Sequence, residues 1–240
     1  VAVTASTGIA ATHISGMTIH SWSGIGIKDD LSEYDIELLT QKENLWKRYD
    51  RTKVLIIDEV SMINPRMFDA LDRLARGMKG SSKPFGGMQV VLSGDFFQLP
   101  PIVRGSDYTA YVDSSNAWQA MDTRVCYLDT QYRQDDTTLE GILSEMRMGA
   151  VTSGTYEYFQ GIVGIKKKHD VKPTRLYTHN MDVDEVNDRE LDTLDSELFE
   201  YEAKTRGRAN LVQSLLKSIL APEMLYLKQD AVVMFVKNSF

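Results

Sequence analysis

Apolar and polar positions along the chain follow two rhythms. Short unbroken apolar runs, "VAVTA" at 1–5, "KVLIID" at 53–58, "MQVVLSG" at 88–94 and "RVCYL" at 124–128, predict buried strands. Between them, apolar residues recur at helical spacing. The clearest case is Met67, Phe68, Leu71, Leu74, Ala75 and Met78, with Asn64 as N-cap, Pro65 at the first helical position and Gly80 beyond the end. Further helices are predicted over "IAATHI" after the turn "STG", around "ELLTQKENLWKRY", at "SSNAWQAM", and from about Thr138 to Met148, closed by Gly149. Strands alternating with helices, rather than with hairpin turns, predict parallel βαβ units. The expectation is an α/β domain over residues 1–150.

Past Gly149 the pattern resets. "TRLYT" reads as a strand, "MDVDEVNDREL" as a helix capped by Asn180, "ELFEYEA" as a half-exposed strand and "AVVMFV" as another strand. Residues 151–240 are therefore expected to hold the start of a second α/β unit, from near residue 170, joined by a small β element.

Composition narrows the class. The 240 residues suffice for one large domain or two modest ones, and 42% hydrophobic with 25% charged residues is ordinary for a globular protein. No apolar stretch approaches the length that spans a bilayer and no leader is visible, so no membrane partner is expected. Cys126 is the only cysteine, which excludes a disulfide framework and suits a reducing, intracellular compartment. A net charge of −7 argues against an overall basic coat and leaves room for a local basic groove. The densest basic run, Lys166–Lys168, suits a solvated loop. The chain starts and stops inside apolar runs, so it is expected to be a segment of something longer.

Candidate chemistry gathers at strand ends. The strand "KVLIID" closes on the adjacent carboxylates Asp58 and Glu59, and parallel sheets place ligand chemistry at such ends. A carboxylate there can hold magnesium while its neighbour orients an attacking water. The ordinary alternative is a strand that ends at the surface. "GDFFQLPP" after the next strand offers Asp95 and Gln98, whose amide can bond a γ-phosphate or the attacking water; alternatively it is a Pro-stiffened loop with Phe96 and Phe97 packed inside. Arg133 in "LDTQYRQ" offers a guanidinium for charge on a transferring phosphoryl group, or a surface ion pair. Ser6, Thr7 and Gly8 in "TASTGIAA" resemble a phosphate-cradling turn, yet no Gly-x-x-x-x-Gly-Lys-Ser/Thr pattern occurs in these residues.

Taken in order, "VAVTASTGIAATHISGMTIHSWSGIGI", "VLIIDEVSM", "LDRLARGMKGSSKPFGGMQVVLSGDFFQLPPI" and "LDTQYRQ" resemble the petite-integration-frequency (Pif) family of DNA helicases, in the 5′-to-3′ branch of helicase superfamily one. "TRLYTHNMDVDEVND" and "AVVMFVKN" are similar to that family's second motor domain and the start of its inserted small β domain. The resemblance implies a RecA-like P-loop motor domain with a parallel sheet, plus the start of a second RecA-like domain. It implies ATP and Mg2+ as cofactors and single-stranded DNA and DNA forks as partners. By the same resemblance Asp58 holds the metal, Glu59 polarises the hydrolytic water, Gln98 senses the γ-phosphate and Arg133 is the arginine finger. Ser6, Thr7, Gly8, His20 and Ser21 would line a DNA track, with Thr178, His179 and Asn180 as the opposing grip. Such phosphate contacts carry no sequence information, which suits a translocating motor.

His20 also suits a satisfied buried histidine, and Trp22 and Trp46 suit core or wedge packing. The family's Walker A loop is expected just before Val1 and its later motifs after Phe240, so the 240 residues alone are expected to turn over no ATP. The work implied is genome maintenance: replication, recombination, repair or telomere control. The compartment implied is nucleus or mitochondrion in a eukaryote and cytoplasm in a bacterium; oligomeric state is open. The reading from another class is a non-catalytic module that binds single-stranded nucleic acid.

Overall fold

The computed structural model describes residues 1–26, 28, 30–101, 110–132, 135–165, 174–177, 180–207, 212–213, 216 and 222–233. The chain divides into two compact units, Val1–Ile162 and Val163–Phe240. Among the described residues no helix is long and apolar enough to cross a membrane.

The first unit is built on a parallel sheet of β1 (Ala2–Ala5), β2 (Met17–Thr18), β3 (Val54–Asp58) and β4 (Gln89–Leu92), in the order β2-β1-β3-β4. Each step between strands passes through helix, as alternating apolar runs and helical patterns predict. Helix α1 (Gly8–His13) links β1 to β2. Helices α2 (Ile19–Ser23), α3 (Glu33–Thr40) and α4 (Glu43–Arg51) link β2 to β3. A 3₁₀ turn at Val60–Met62 and α5 (Pro65–Lys79) link β3 to β4. Helices α6 (Asn116–Ala120), α7 (Thr137–Met148) and α8 (Ser153–Ile162) follow in the same unit. Glu145 of α7 accepts from the Thr152 amide and the Thr155 hydroxyl, fastening α8 to α7.

Period-two alternation decides which strand residues meet the core. Leu55 and Ile57 of β3 are buried beside Leu71, Leu74, Phe68 and Met78 of α5 in one hydrophobic cluster. Val54, Ile56 and Asp58, on the opposite face, are half-buried. Helix α5 keeps its predicted caps: the Asn64 side chain accepts from the Met67 amide, Pro65 opens the helix and Gly80 closes it in the left-handed region.

Several expectations fail. The single helix around 37–49 is two, α3 and α4, because Lys42 is extended and breaks the ladder. Buried Leu39 and Leu45 are six residues apart, out of phase with one helical stripe, so two shorter helices bury what one could not. "RVCYL" at 124–128 forms no strand: Val125, Tyr127 and Leu128 are exposed, and among the described residues no strand pairs with them. A lone strand cannot satisfy its amides and carbonyls, so the segment stays irregular. "TRLYT" is likewise irregular and exposed over 174–177, with Leu176 at 94% exposure.

In the second unit, helix α9 (Asn180–Asp192) starts on Asn180, and β5 (Leu198–Glu202) pairs antiparallel with β6 (Met224–Lys228). Lys166–Lys168 and residues 234–236 of the expected last strand lie outside the described residues, and 231–233 are irregular.

Candidate nucleotide and nucleic-acid site

Sheet register brings the separate sequence motifs to one edge. Ala5 is level with both Thr18 and Asp58, and Ile57 is level with Leu92. All four strands are parallel, so all four C-terminal ends lie side by side. In spatial order that edge carries His20 and Ser21 after β2, Ser6–Gly8 after β1, Asp58 and Glu59 at β3, and Asp95 and Gln98 after β4. Residues up to 92 positions apart in sequence thus form one row, the arrangement by which open parallel sheets assemble ligand sites.

Asp58 and Glu59 sit in the middle of the row. Both are half-buried, and neither side chain has a hydrogen-bond or ion-pair partner among the described residues. Glu59 adopts φ 53°, ψ 44°, a left-handed conformation that is uncommon for a residue with a Cβ. The chain is held there from the next strand. Val60 N donates to Ser93 O at 2.9 Å, Ser93 N donates to Ile57 O at 3.0 Å, and a Cβ on Gly94 would lie 3.1 Å from Val60 N and 3.2 Å from Ser61 N. A side chain at 94 would be accommodated only if this backbone shifted by a few tenths of an ångström. Among the described residues the fully buried Ser61 hydroxyl has no partner, and neither has the Ser6 hydroxyl oxygen.

The β4 end carries a tight turn. Gln98 N donates to Asp95 O at 3.0 Å, and Asp95 Oδ1 accepts from Phe97 N at 3.1 Å, a side-chain-closed turn of the kind aspartate favours. Asp95 also takes a two-pronged pair from Arg147 of α7: Nη1 to Oδ1 at 3.0 Å and Nη2 to Oδ2 at 2.6 Å. The Arg147 guanidinium lies 5.1 Å from the Phe97 ring centroid. Gln98 Nε2 donates to Asp95 Oδ2 at 3.2 Å. Arg147, with the backbone and amide donors of Phe97 and Gln98, holds the Asp95 carboxyl far below the usual carboxylate range. Asp95 is therefore an anion and accepts only, so the Gln98 carboxamide must turn its nitrogen to Asp95. Phe97 is 73% exposed, contrary to the alternative that both phenylalanines pack inside; Phe96 packs edge-on against Tyr111 and Trp118.

On the other side of the row, Thr7 caps α1 by accepting from Ala10 N at 3.2 Å, and Ser6 N donates to Asp58 O at 3.1 Å. The Ser6 amide is thus committed to the sheet, while the Thr7 and Gly8 amides have no partner among the described residues. Arg48 of α4 supports the next turn, donating to Ser21 O and Trp22 O at 3.0 and 2.6 Å. His20 is half-buried and has a partner within the chain. Trp22 is buried against Tyr49, as core packing requires, whereas Trp46 is 44% exposed.

Arg133, Thr178 and His179 lie outside the described residues, and Asn180 begins α9 in the second unit. Sequence reasoning missed Arg147 and Gly94, whose roles depend on contacts made 52 and 33 residues away. The basic residue in the last turn of α7 looks like ordinary dipole compensation.

For a metal, Asp58 offers a single free carboxylate; among the described residues no three ligating side chains converge. That donor set fits Mg2+, which takes one or two carboxylates beside waters and substrate phosphates, and it fits no all-protein metal cage.

A family model described as PIF1-like helicase matches residues 1–147. The chain is 43% identical to the ATP-dependent DNA helicase Pif1 of Psychrobacter sp., over 100% of this chain and 38% of that protein. It is 34% identical to the ATP-dependent DNA helicase RRM3 of Saccharomyces cerevisiae, over 100% of this chain and 34% of that protein. Among solved structures, Pif1 helicase from Candida albicans superposes with a TM-score of 0.78 at 33% identity, over 95% of this chain and 52% of that one. Pif1 helicase from Bacteroides in complex with ADP-AlF3 and ssDNA gives 0.69 at 26%, over 95% and 53%. The chain spans about a third of the length of the curated relatives it matches.

Proposed function

The chain belongs to the PIF1-like helicase family, and from that premise we propose that it forms part of an ATP-dependent 5′-to-3′ DNA helicase that moves on single-stranded DNA and opens forks. The first unit is the RecA-like domain of that motor, and the second begins the other RecA-like domain with its inserted β element. The observation that carries the reading is the row of strand ends, in which Asp58 and Glu59 close β3 and Gln98 follows β4 while Ser6–Gly8, His20 and Ser21 follow β1 and β2.

In this reading the β3–β4 end faces ATP and the β1–β2 end faces DNA. Asp58, without an internal partner among the described residues, would hold Mg2+, which when bound would supply charge neutralisation to the transferring phosphoryl group. Glu59, set in place by its left-handed backbone, takes a proton from or orients the attacking water. Gln98 holds that water or the γ-phosphate, and Arg133 supplies the guanidinium that meets developing charge. The free Thr7 and Gly8 amides meet DNA phosphates, with His20 and Ser21 continuing the track and Thr178, His179 and Asn180 gripping from the second unit. Ser6 contributes position rather than its amide, which is already spent on Asp58. The setting is genome maintenance inside the cell, in nucleus or mitochondrion of a eukaryote or the cytoplasm of a bacterium.

The test is made in the full-length protein that contains this segment. Glu59→Gln should abolish DNA-stimulated ATP turnover while leaving single-strand affinity within about a factor of three. Arg133→Ala should lower kcat by roughly 10³-fold or more, as loss of arginine fingers does. Wild-type turnover in Glu59→Gln would overturn the reading in favour of a non-catalytic binding module.

A further inference from the structure

The Asp95 carboxylate, paired with Arg147, accepts four hydrogen bonds, and its stability value does not account for that arrangement. Arg147 is 53% exposed and Asp95 21% exposed, and ion pairs at such exposure contribute little to folding. Yet every acceptor position on Asp95 is taken: two by Arg147, one by Phe97 N and one by Gln98 Nε2. The guanidinium is itself fixed over the Phe97 ring. A rigid fork held by a carboxylate and an aromatic face gives geometry rather than free energy. What that geometry fixes is the turn that carries Gln98.

We infer that Arg147 is a positioning residue for Gln98: it clamps the Asp95–Gln98 turn from the end of α7 and so sets the Gln98 carboxamide for the phosphoryl-transfer step. The inference rests on the reading of Gln98 as a nucleotide-site residue given above. Asp95 is the intermediary. With Arg147 in place it is an ionised, four-fold acceptor that turns the Gln98 nitrogen inward and leaves the amide oxygen as the group available to an O–H donor such as the attacking water. Without Arg147, Asp95 keeps only the bonds of its own turn, and the turn loses its one side-chain tie to α7. Misplacement of such a group by about 1 Å can cost on the order of 100-fold in rate.

The experiment uses the full-length protein and measures DNA-stimulated ATP turnover over a range of ATP concentrations for Arg147→Ala, Asp95→Asn and the double variant. Arg147→Ala should lose about tenfold to 100-fold in kcat with KM within a factor of two. The double variant should be no worse than the poorer single one, because both remove one clamp. Millimolar methylguanidinium should restore part of the Arg147→Ala rate and leave wild type unchanged. The near-isosteric Asp95→Asn keeps the test open should Arg147→Ala fold poorly. Wild-type kcat in both single variants would overturn the clamp, as would losses that multiply in the double variant. Glu59→Gln, run in parallel, separates the two claims. If it is dead while Arg147→Ala is fully active, only the clamp fails; if it turns over normally, the nucleotide-site reading fails.

Discussion

Gly94 shows how one residue can position chemistry it does not perform. A methyl group there would press on Val60 Cγ1 at 3.0 Å and on the Val60 and Ser61 amides, the backbone that holds Glu59 in its left-handed conformation. Gly94→Ala should therefore destabilise the protein by about 1–3 kcal/mol, as overpacking does, and lower turnover beyond what the lost stability explains. Urea unfolding and ATP hydrolysis by the full-length variant check this, and wild-type values in both would show that the Val60–Ser61 backbone accommodates the methyl group without disturbing Glu59. At this scale the carboxylates Asp58 and Glu59 and the amide of Gln98 were legible in the sequence, because polar residues that end an apolar run announce a strand end. Arg147 was not legible. Its partner is 52 residues away, and nothing local distinguishes it from any arginine closing a helix.

At the scale of elements, α5 was readable in full, since its caps and its apolar stripe are local signals. Its tie to the turn before β4 was not. Asp72, buried on α5, accepts from the buried Phe85 amide at 2.6 Å and from Arg76 Nε at 2.7 Å. Asp72→Ala strands that amide, while Arg76 keeps its bond to Ser82 O, so it should cost about 1–3 kcal/mol in chemical denaturation; a loss well below about 1 kcal/mol would show that water replaces the carboxylate. Helix α3 makes a pH prediction. The Lys28 ammonium, with the Ser32 hydroxyl and amide, holds the Asp35 carboxyl down at about 2 in the capping box. A depressed acid stabilises its helix fully above the ordinary carboxylate range of about 4 and loses that contribution as pH falls through its folded value. A carboxyl titration followed by NMR should place the Asp35 midpoint near 2, and a midpoint near 4 would mean the box is open in solution.

Across the molecule, the two units differ in how their strands are protected. Strands β1 and β3 are central in a four-stranded sheet, with Ala5 and Ile57 fully buried. Strands β5 and β6 form a two-stranded ribbon whose β5 residues are all exposed, and such ribbons are marginal by themselves. Amide exchange in this chain should therefore be slowest in β1 and β3 and faster by orders of magnitude in β5 and β6; equal protection would mean the ribbon is covered. By itself the sequence determined the alternation of strand and helix, the helix caps, and the polar residues that end each apolar run, since these depend on neighbours within a few positions. Tertiary structure decided the rest: that "RVCYL" forms no strand for want of a partner, that one predicted helix becomes two, and that four strand ends fall level in one row. Strand order, register and the Arg147 clamp arise from pairings across tens of residues. Their energy depends on which surfaces meet, and a one-dimensional pattern does not contain that information.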